Sequence, residues 1–342
     1  MLEKPLIDED QIILCLQESY ALGVVSLEFL PIGSDPNSWV YKITSDNGKY
    51  FLKIKKGEIY EPSIFIPSYL KGIGIEQVVA PLRTQLDELS VKLNDFTLIL
   101  YPFIEGRVGM KVGLTDEQWR ELGSVLKEIH SVQPPTDLLQ RVNKENFLLK
   151  WNLVIERLQD VITGGNTVDV FQIELSSFWK EKLGEIEHIV KRAKELGQEL
   201  QSKRLDFVLC HTDVHTANII LSPKGEMFII DWDNPIFAPK ERDLMFIVGQ
   251  EKNEKLFFEG YGKVEIDPVA LAYYRYEWVV QEFADYGERM FFMSGVGEET
   301  KKDALKSFVE LFQPDDVVEA AYRFDPKKKE FAAKLAEAEQ SR

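Results

Sequence analysis

Asp213, Asn218 and Asp231 bring three oxygen-bearing side chains to the segment FVLCHTDVHTANIILSPKGEMFIIDWD, residues 207–233, with His211 two residues ahead of the first. Asp213 to Asn218 is five residues and Asn218 to Asp231 is thirteen. Carboxylate and amide oxygens suit a divalent cation such as Mg²⁺. A carboxylate held near a hydroxyl can orient it and take its proton. Together these capacities point to phosphoryl transfer. A lone Asp in a turn is more often a cap or a local hydrogen-bonding residue, so the argument rests on three residues at fixed intervals between apolar runs.

Those runs would position the set. Phe207–Cys210 is short enough for a buried strand, broken at once by polar residues that should form a loop. Ile219–Leu221 and Met227–Ile230 flank Ser222-Pro223-Lys224-Gly225, which has the chemistry of a hairpin turn. Asp213, Asn218 and Asp231 would then stand at the mouth of one cleft.

The order His-x-Asp, then Asn, then a second Asp after the next strands follows the kinase catalytic loop, with Asp231-Trp232-Asp233 in place of D-F-G. The pattern HTDVHTANII…FIIDWD resembles the aminoglycoside phosphotransferase and choline kinase family, which writes H-G-D-x-x-x-x-N. Thr212 stands where that family has glycine, and it supplies no expected catalytic atom. The resemblance implies an α+β, bilobal protein-kinase-like fold. A small antiparallel-sheet nucleotide-binding lobe would span residues 1–102, and a larger, mainly helical catalytic and substrate-binding lobe residues 103–342. It further implies ATP with Mg²⁺ and transfer of the γ-phosphate to a hydroxyl of an aminocyclitol antibiotic, spectinomycin. Asp213 would be catalytic, with Asn218 and Asp231 holding the metal. Asp243, in Pro239–Met245, matches the family Asp that braces the catalytic loop, although a helix cap reads equally well.

Upstream, Lys53 lies in the apolar strand Tyr50–Ile54, where a buried ammonium needs an anionic partner. In the resemblance it grips the α- and β-phosphates; Lys55, on the same face, is its rival. Glu61 is the match for the glutamate that orients this lysine, with Glu58 the alternative. Strands at Ser26–Leu30 and Trp39–Ile43 enclose a loop that would cover the phosphates through Gly33, Ser34, Asn37 and Ser38. It could equally be an ordinary hairpin loop. Strands are also expected at Ile75–Leu82 and Phe96–Tyr101. Leu100, Tyr101 and Phe103 should line the adenine pocket where the lobes join.

Helices are signalled over Asp8–Leu22, after the capping box at Thr115-Asp116-Glu117-Gln118, around Trp151–Val161, over Ser177–Leu200 and over Leu271–Tyr286. On the last, Glu282 and Asp285 could border a site for ammonium groups, and Tyr286 could assist by cation–π contact. The stretch from Asp325 reads as a marginal solvent-facing helix.

Composition sets the outer bounds. A chain of 342 residues with 44% hydrophobic content can bury a sizeable core. The formal charge of −16 disfavours nucleic acid or an anionic membrane as partner and suits a cationic small-molecule substrate. Cys15 and Cys210 sit in apolar runs and read as buried thiols in a reducing compartment. No basic leader or long apolar run is present, so a cytoplasmic protein is expected; it is taken as a monomer or weak dimer, which no feature of the sequence decides. The runner-up readings are a kinase of another small amino alcohol, such as choline or homoserine, a catalytically silent nucleotide-binding module, and a metal hydrolase built on His211, Asp213 and His215. The chain has only four histidines, which argues against the hydrolase.

Overall fold

Asp8 starts the first helix, its carboxylate accepting the Asp10 amide at 3.0 Å, and α1 (Glu9–Tyr20) ends at Ala21 with a left-handed φ of 52°. The computed structural model describes residues 3–33, 35, 37–165 and 169–327. Alternating sequence gives β1 (Val24–Leu30), β2 (Ser38–Ser45) and β3 (Gly48–Lys56), the last two joined at Asn47-Gly48. Then come α2 (Pro62–Gly72), with proline in its first turn, β4 (Val91–Leu93) and β5 (Phe96–Pro102). These strands form an antiparallel sheet in the order β1-β2-β3-β5-β4.

The side-chain period of two decides what each face of the sheet holds. Tyr41, Ile43, Leu52, Ile54, Leu98 and Leu100 form one core with Ile12, Cys15 and Leu16 of α1. Each such buried aliphatic contributes about 1.5–3 kcal/mol. Lys53 is adjacent to both Leu52 and Ile54, so it faces the other way, in register with Val40 and Ile99.

Ile75–Leu82, expected as a strand, does not form one. Gln77 O and Val79 N bond to Ile229 at 2.7 and 3.1 Å, and only Val78 makes a bridge. Pro81 has no amide to carry the ladder further.

Next in order are β6 (Arg107–Val108), α3 (Gly109–Val112), α4 (Asp116–Ser131), α5 (Thr136–Arg141), α6 (Asn152–Gly164) and α7 (Val170–Gln201). In the capping box of α4, Thr115 N donates to Gln118 Oε1 at 3.0 Å and Gln118 N to Thr115 Oγ1 at 3.2 Å. Helix α7 begins at Val170 rather than Ser177 because Asp169 caps it, accepting the Phe171 and Gln172 amides. The chain continues with β7 (Phe207–Cys210), β8 (Ile219–Leu221), β9 (Met227–Ile229), β10 (Ile236–Pro239) and α8 (Glu241–Leu244). It ends with α9 (Lys252–Tyr261), α10 (Pro268–Phe291), α11 (Glu298–Glu310) and α12 (Val317–Arg323). Strands β6, β8 and β9 make a second antiparallel sheet, and β7 pairs with β10. Gly106 and Gly109 permit close approach to this region: a Cβ would lie 2.5 Å from Leu221 O at the first and 3.0 Å from Thr216 O at the second.

Segments group into two units, Met1–Glu145 with Phe207–Val264, and Asn146–Asp206 with Glu265–Arg342. Neither unit ends at Pro102, where the sequence reading divides the chain. Residues 207–264 bond to the segment before Pro102, as Ile229 does to Gln77 and Val79 and as Asp231 and Asp233 do to Lys53. In the second unit Asp325 is buried rather than part of a loose tail. Arg192 donates to it through Nε at 2.8 Å and Nη2 at 2.7 Å, and the Tyr276 hydroxyl donates at 3.0 Å. The rest of the expected tail, residues 328–342, lies outside the described residues. No helix among the described residues is long and apolar enough to cross a membrane.

Candidate active site

Strand β7 delivers the catalytic-type loop, and the amides and side chains of His211 and Thr212 at its start are all hydrogen-bonded. His211 N and Thr212 N donate to the Asp243 carboxylate at 2.9 and 2.7 Å. His130, from α4, bonds the same carboxylate through Nε2 at 3.0 Å and Tyr261 through Nδ1 at 2.7 Å. Burial acts to raise the Asp243 carboxyl, but His130 and the loop amides outweigh it and hold it below the usual carboxylate range. Asp243 thus braces the loop as a buried carboxylate.

His211 fixes its own tautomer. Nδ1 accepts the Asp213 amide at 3.2 Å, so Nε2 carries the proton and donates to Ile230 O at 2.9 Å. Its ring meets Trp232 edge-on at 4.5 Å between centroids. Asp213 receives Asn218 Nδ2 at 2.8 Å on its carboxylate and again at 2.8 Å on its backbone carbonyl. His215 Nε2 lies 3.2 Å from its other oxygen, and the ring's Nδ1 accepts Ala217 N at 3.2 Å. Burial would raise the Asp213 carboxyl; the hydrogen bond and charge of His215 prevail and lower it. With both ring nitrogens of His211 and His215 already hydrogen-bonded, the metal-hydrolase reading loses its ligands. The sequence offered His215 only as a ligand of the hydrolase alternative; its contact with the Asp213 carboxylate is what the sequence reading missed, although the two-residue spacing was visible.

The metal-type carboxylates follow in the next turn. Ile230 N donates to Asn218 O at 3.0 Å, which ties Asn218 to the residue before Asp231. Asp231 has a φ of 64° and a side chain 43% exposed. Asn218 uses its amide nitrogen on Asp213, and its Oδ1 accepts no hydrogen bond among the described residues. That oxygen and the Asp231 carboxylate form a hard donor pair that fits Mg²⁺.

Lys53 crosses to this loop from the sheet. Its Nζ lies 2.8 Å from Asp231 Oδ1 and 2.7 Å from Asp233 Oδ1. Burial alone would lower the ammonium; the two carboxylates hold it well above the usual lysine range. Lys55 reaches Asp233 Oδ2 at 3.0 Å and Asp35 at 3.1 Å, so the rival lysine links the loop at residues 33–38 to the same carboxylate. Against burial, the two lysines depress the Asp233 carboxyl.

Other expected residues are placed as follows. Glu61 is a correction: it pairs with Arg141 and is largely exposed, while Lys53 takes Asp231 and Asp233. Leu100 is a second correction, because strand alternation puts it in the α1 core on the face opposite Lys53. Tyr101 shares the Lys53 face; burial pushes its phenol up and Lys53 partly offsets that. The Phe103 ring receives Lys42 at 5.5 Å. Gly33 has a left-handed φ of 93°, Asn37 N donates to Asp35 Oδ1 at 2.8 Å, and Ser38 begins β2. Ser34 lies outside the described residues. In the second unit, Trp278 Nε1 donates to Glu282 at 3.1 Å, Asp285 pairs with Arg289, and the Arg289 guanidinium stands 5.2 Å from the Tyr286 ring centroid. The cation that Tyr286 meets is therefore the chain's own.

Comparison with known proteins fits this geometry. The profile of the phosphotransferase enzyme family matches residues 28–248, which include the loop, both carboxylates and Lys53. The chain belongs to the phosphotransferase enzyme family. As a member it is a small-molecule O-phosphotransferase with a protein-kinase-like fold. The solved structure of spectinomycin phosphotransferase APH(9)-Ia, in complex with ADP and spectinomycin, is 32% identical. It covers 94% of this chain and 99% of its own, at a TM-score of 0.84. Protein StrN of Streptomyces griseus is 25% identical over 310 residues, 84% of this chain and 89% of its own length. Choline kinase LicA from Streptococcus pneumoniae shares the fold at 15% identity and a TM-score of 0.54, over 88% of this chain and 99% of its own.

Proposed function

We propose that this family member transfers the γ-phosphate of ATP, with Mg²⁺, to a hydroxyl of an aminocyclitol, and that spectinomycin is its acceptor. The observation that carries the reading is the likeness to the spectinomycin phosphotransferase structure, 32% identical over 94% of this chain. The joined loops bearing Asp213, Asn218 and Asp231 supply the side chains such a reaction needs. Lys53 would bind the α- and β-phosphates, exchanging carboxylate partners for phosphate oxygens. Asn218 Oδ1 and Asp231 would hold Mg²⁺, which spreads the charge of the β- and γ-phosphates. Asp213, kept ionised by His215 and aimed by Asn218, would orient the acceptor hydroxyl and take its proton. The expected acceptor residues Glu282, Asp285 and Tyr286 of α10 meet the chain's own Trp278 and Arg289, so an ammonium-bearing acceptor is proposed from the family likeness and from charge. A chain of formal charge −16 draws such cations in.

The deciding experiment is ADP release measured with ATP, Mg²⁺ and a panel of amino alcohols. Spectinomycin should stimulate release far above choline or homoserine. Stimulation by choline or homoserine with none by spectinomycin would move the protein to the runner-up, a kinase of another small amino alcohol.

A further inference from the structure

The catalytic loop carries a residue in a conformation its side chain resists. Thr212 has a φ of 80°, a left-handed backbone that glycine adopts freely and a β-branched residue does not. It is also buried, at 6% exposure. Two bonds hold it there. Thr212 N donates to Asp243 Oδ1 at 2.7 Å, and its hydroxyl donates to Asn234 O at 3.1 Å. Glycine would make the first bond without strain and could not make the second.

The second bond joins two loops at a sensitive point. Thr212 immediately precedes Asp213, and Asn234 immediately follows Asp233, whose carboxylate meets Lys53 and Lys55. The neighbouring His211 Nε2 bond to Ile230 O, at 2.9 Å, fastens the same two loops on the other side of Asp231. We infer that Thr212 is a positioning residue whose hydroxyl sets the base loop relative to the metal loop, and that the strained backbone is retained for the sake of that bridge. The inference rests on the proposed roles of Asp213 and Asp231.

Three variants separate this from a merely tolerated threonine. Thr212→Ser keeps the hydroxyl without the branch, Thr212→Val keeps the branched shape without the hydroxyl, and Thr212→Gly removes both strain and hydroxyl. Melting temperature, Mg²⁺·ADP affinity and kcat against KM would be compared with the unmodified chain. Thr212→Ser should stay within about twofold of wild type, while Thr212→Val and Thr212→Gly lose about tenfold in kcat, the size of one positioned hydrogen bond. Thr212→Gly should melt at or above wild type, so that activity and stability move in opposite directions. Wild-type kcat in folded Thr212→Val, or loss in Thr212→Val that Thr212→Ser shares, overturns the inference. If the unmodified chain phosphorylates no acceptor, the acceptor reading has failed by itself. The bridge is then read from Mg²⁺·ADP affinity, which Thr212→Val must weaken several-fold and Thr212→Ser must not; equal affinities overturn it.

Discussion

Asn218 grips Asp213 twice, its single amide nitrogen donating at 2.8 Å to the backbone carbonyl and at 2.8 Å to the carboxylate. The carboxylate is therefore oriented from within its own loop before any substrate binds. Asp213→Ala should lower kcat by about 10²–10⁴-fold, the usual range for a positioned general base. Nucleotide affinity should change little, because Asp213 does not meet Lys53 and Asn218 keeps its bond to the backbone carbonyl of residue 213. Turnover and calorimetric ADP binding check this, and wild-type kcat would remove Asp213 from the mechanism.

Asp231 should behave differently. Asp231→Ala removes both a proposed Mg²⁺ ligand and one of the two carboxylates on Lys53. Binding of Mg²⁺·ADP should weaken by at least about tenfold, a loss of roughly 1.4 kcal/mol. ADP titrated with EDTA present should be affected much less. Equal losses with and without the metal would contradict the assignment.

Acid should weaken the brace at Asp243. Its carboxyl is depressed in the folded protein, so its stabilising contribution is complete above the unfolded value of about 3.9 and is lost as the pH falls through the folded value. Asp243→Asn leaves His130 and two loop amides with a poorer acceptor, and should lower the melting temperature at pH 7. The gap to wild type should narrow below about pH 4. A gap that is constant down to pH 3 would show that the charge of Asp243 is irrelevant to the brace.

His215 keeps Asp213 ionised, so its loss shows in the acid limb of the kcat/KM profile. With His215→Ala the limb should move to higher pH, since the carboxyl rises once its partner is gone. An unmoved limb would assign the titration to another group.

In the second unit, Arg192→Met strands the buried Asp325 carboxylate. Breaking such a pair costs about 3–5 kcal/mol, to be measured by urea unfolding. A change under 1 kcal/mol would mean the pair is dispensable.

Much of this was legible in the chain because local rules governed it. The capping box at Thr115–Gln118, the Asn47-Gly48 turn and the alternation through Tyr50–Ile54 depend on neighbours a few residues away. The face of Lys53 followed from the same alternation. What failed depended on partners far along the chain. Ile75–Leu82 looks like a strand until its pairing with β9 is seen to stop at Val78, and Glu61 looks like the partner of Lys53 until Asp231 and Asp233 arrive from 178 and 180 residues away. Asp325 gave no signal because Arg192, which buries it, is 133 residues distant. Thr212 was set aside for lacking a catalytic atom, since sequence says nothing of φ.

The bare backbones at Gly106 and Gly109 carry a final implication for how this chain tolerates mutation. Where β5 hands over to the segment leading toward Asn218, no slack exists for even a methyl group, as Leu221 O and Thr216 O sit within 2.5 and 3.0 Å of where it would go. Alanine at either position would act as a wedge against the backbone at Leu221 or Thr216, the two residues that bracket Asn218. Screening of random libraries for retained phosphotransferase activity should find these two sites intolerant of substitution, though neither has a side chain to lose.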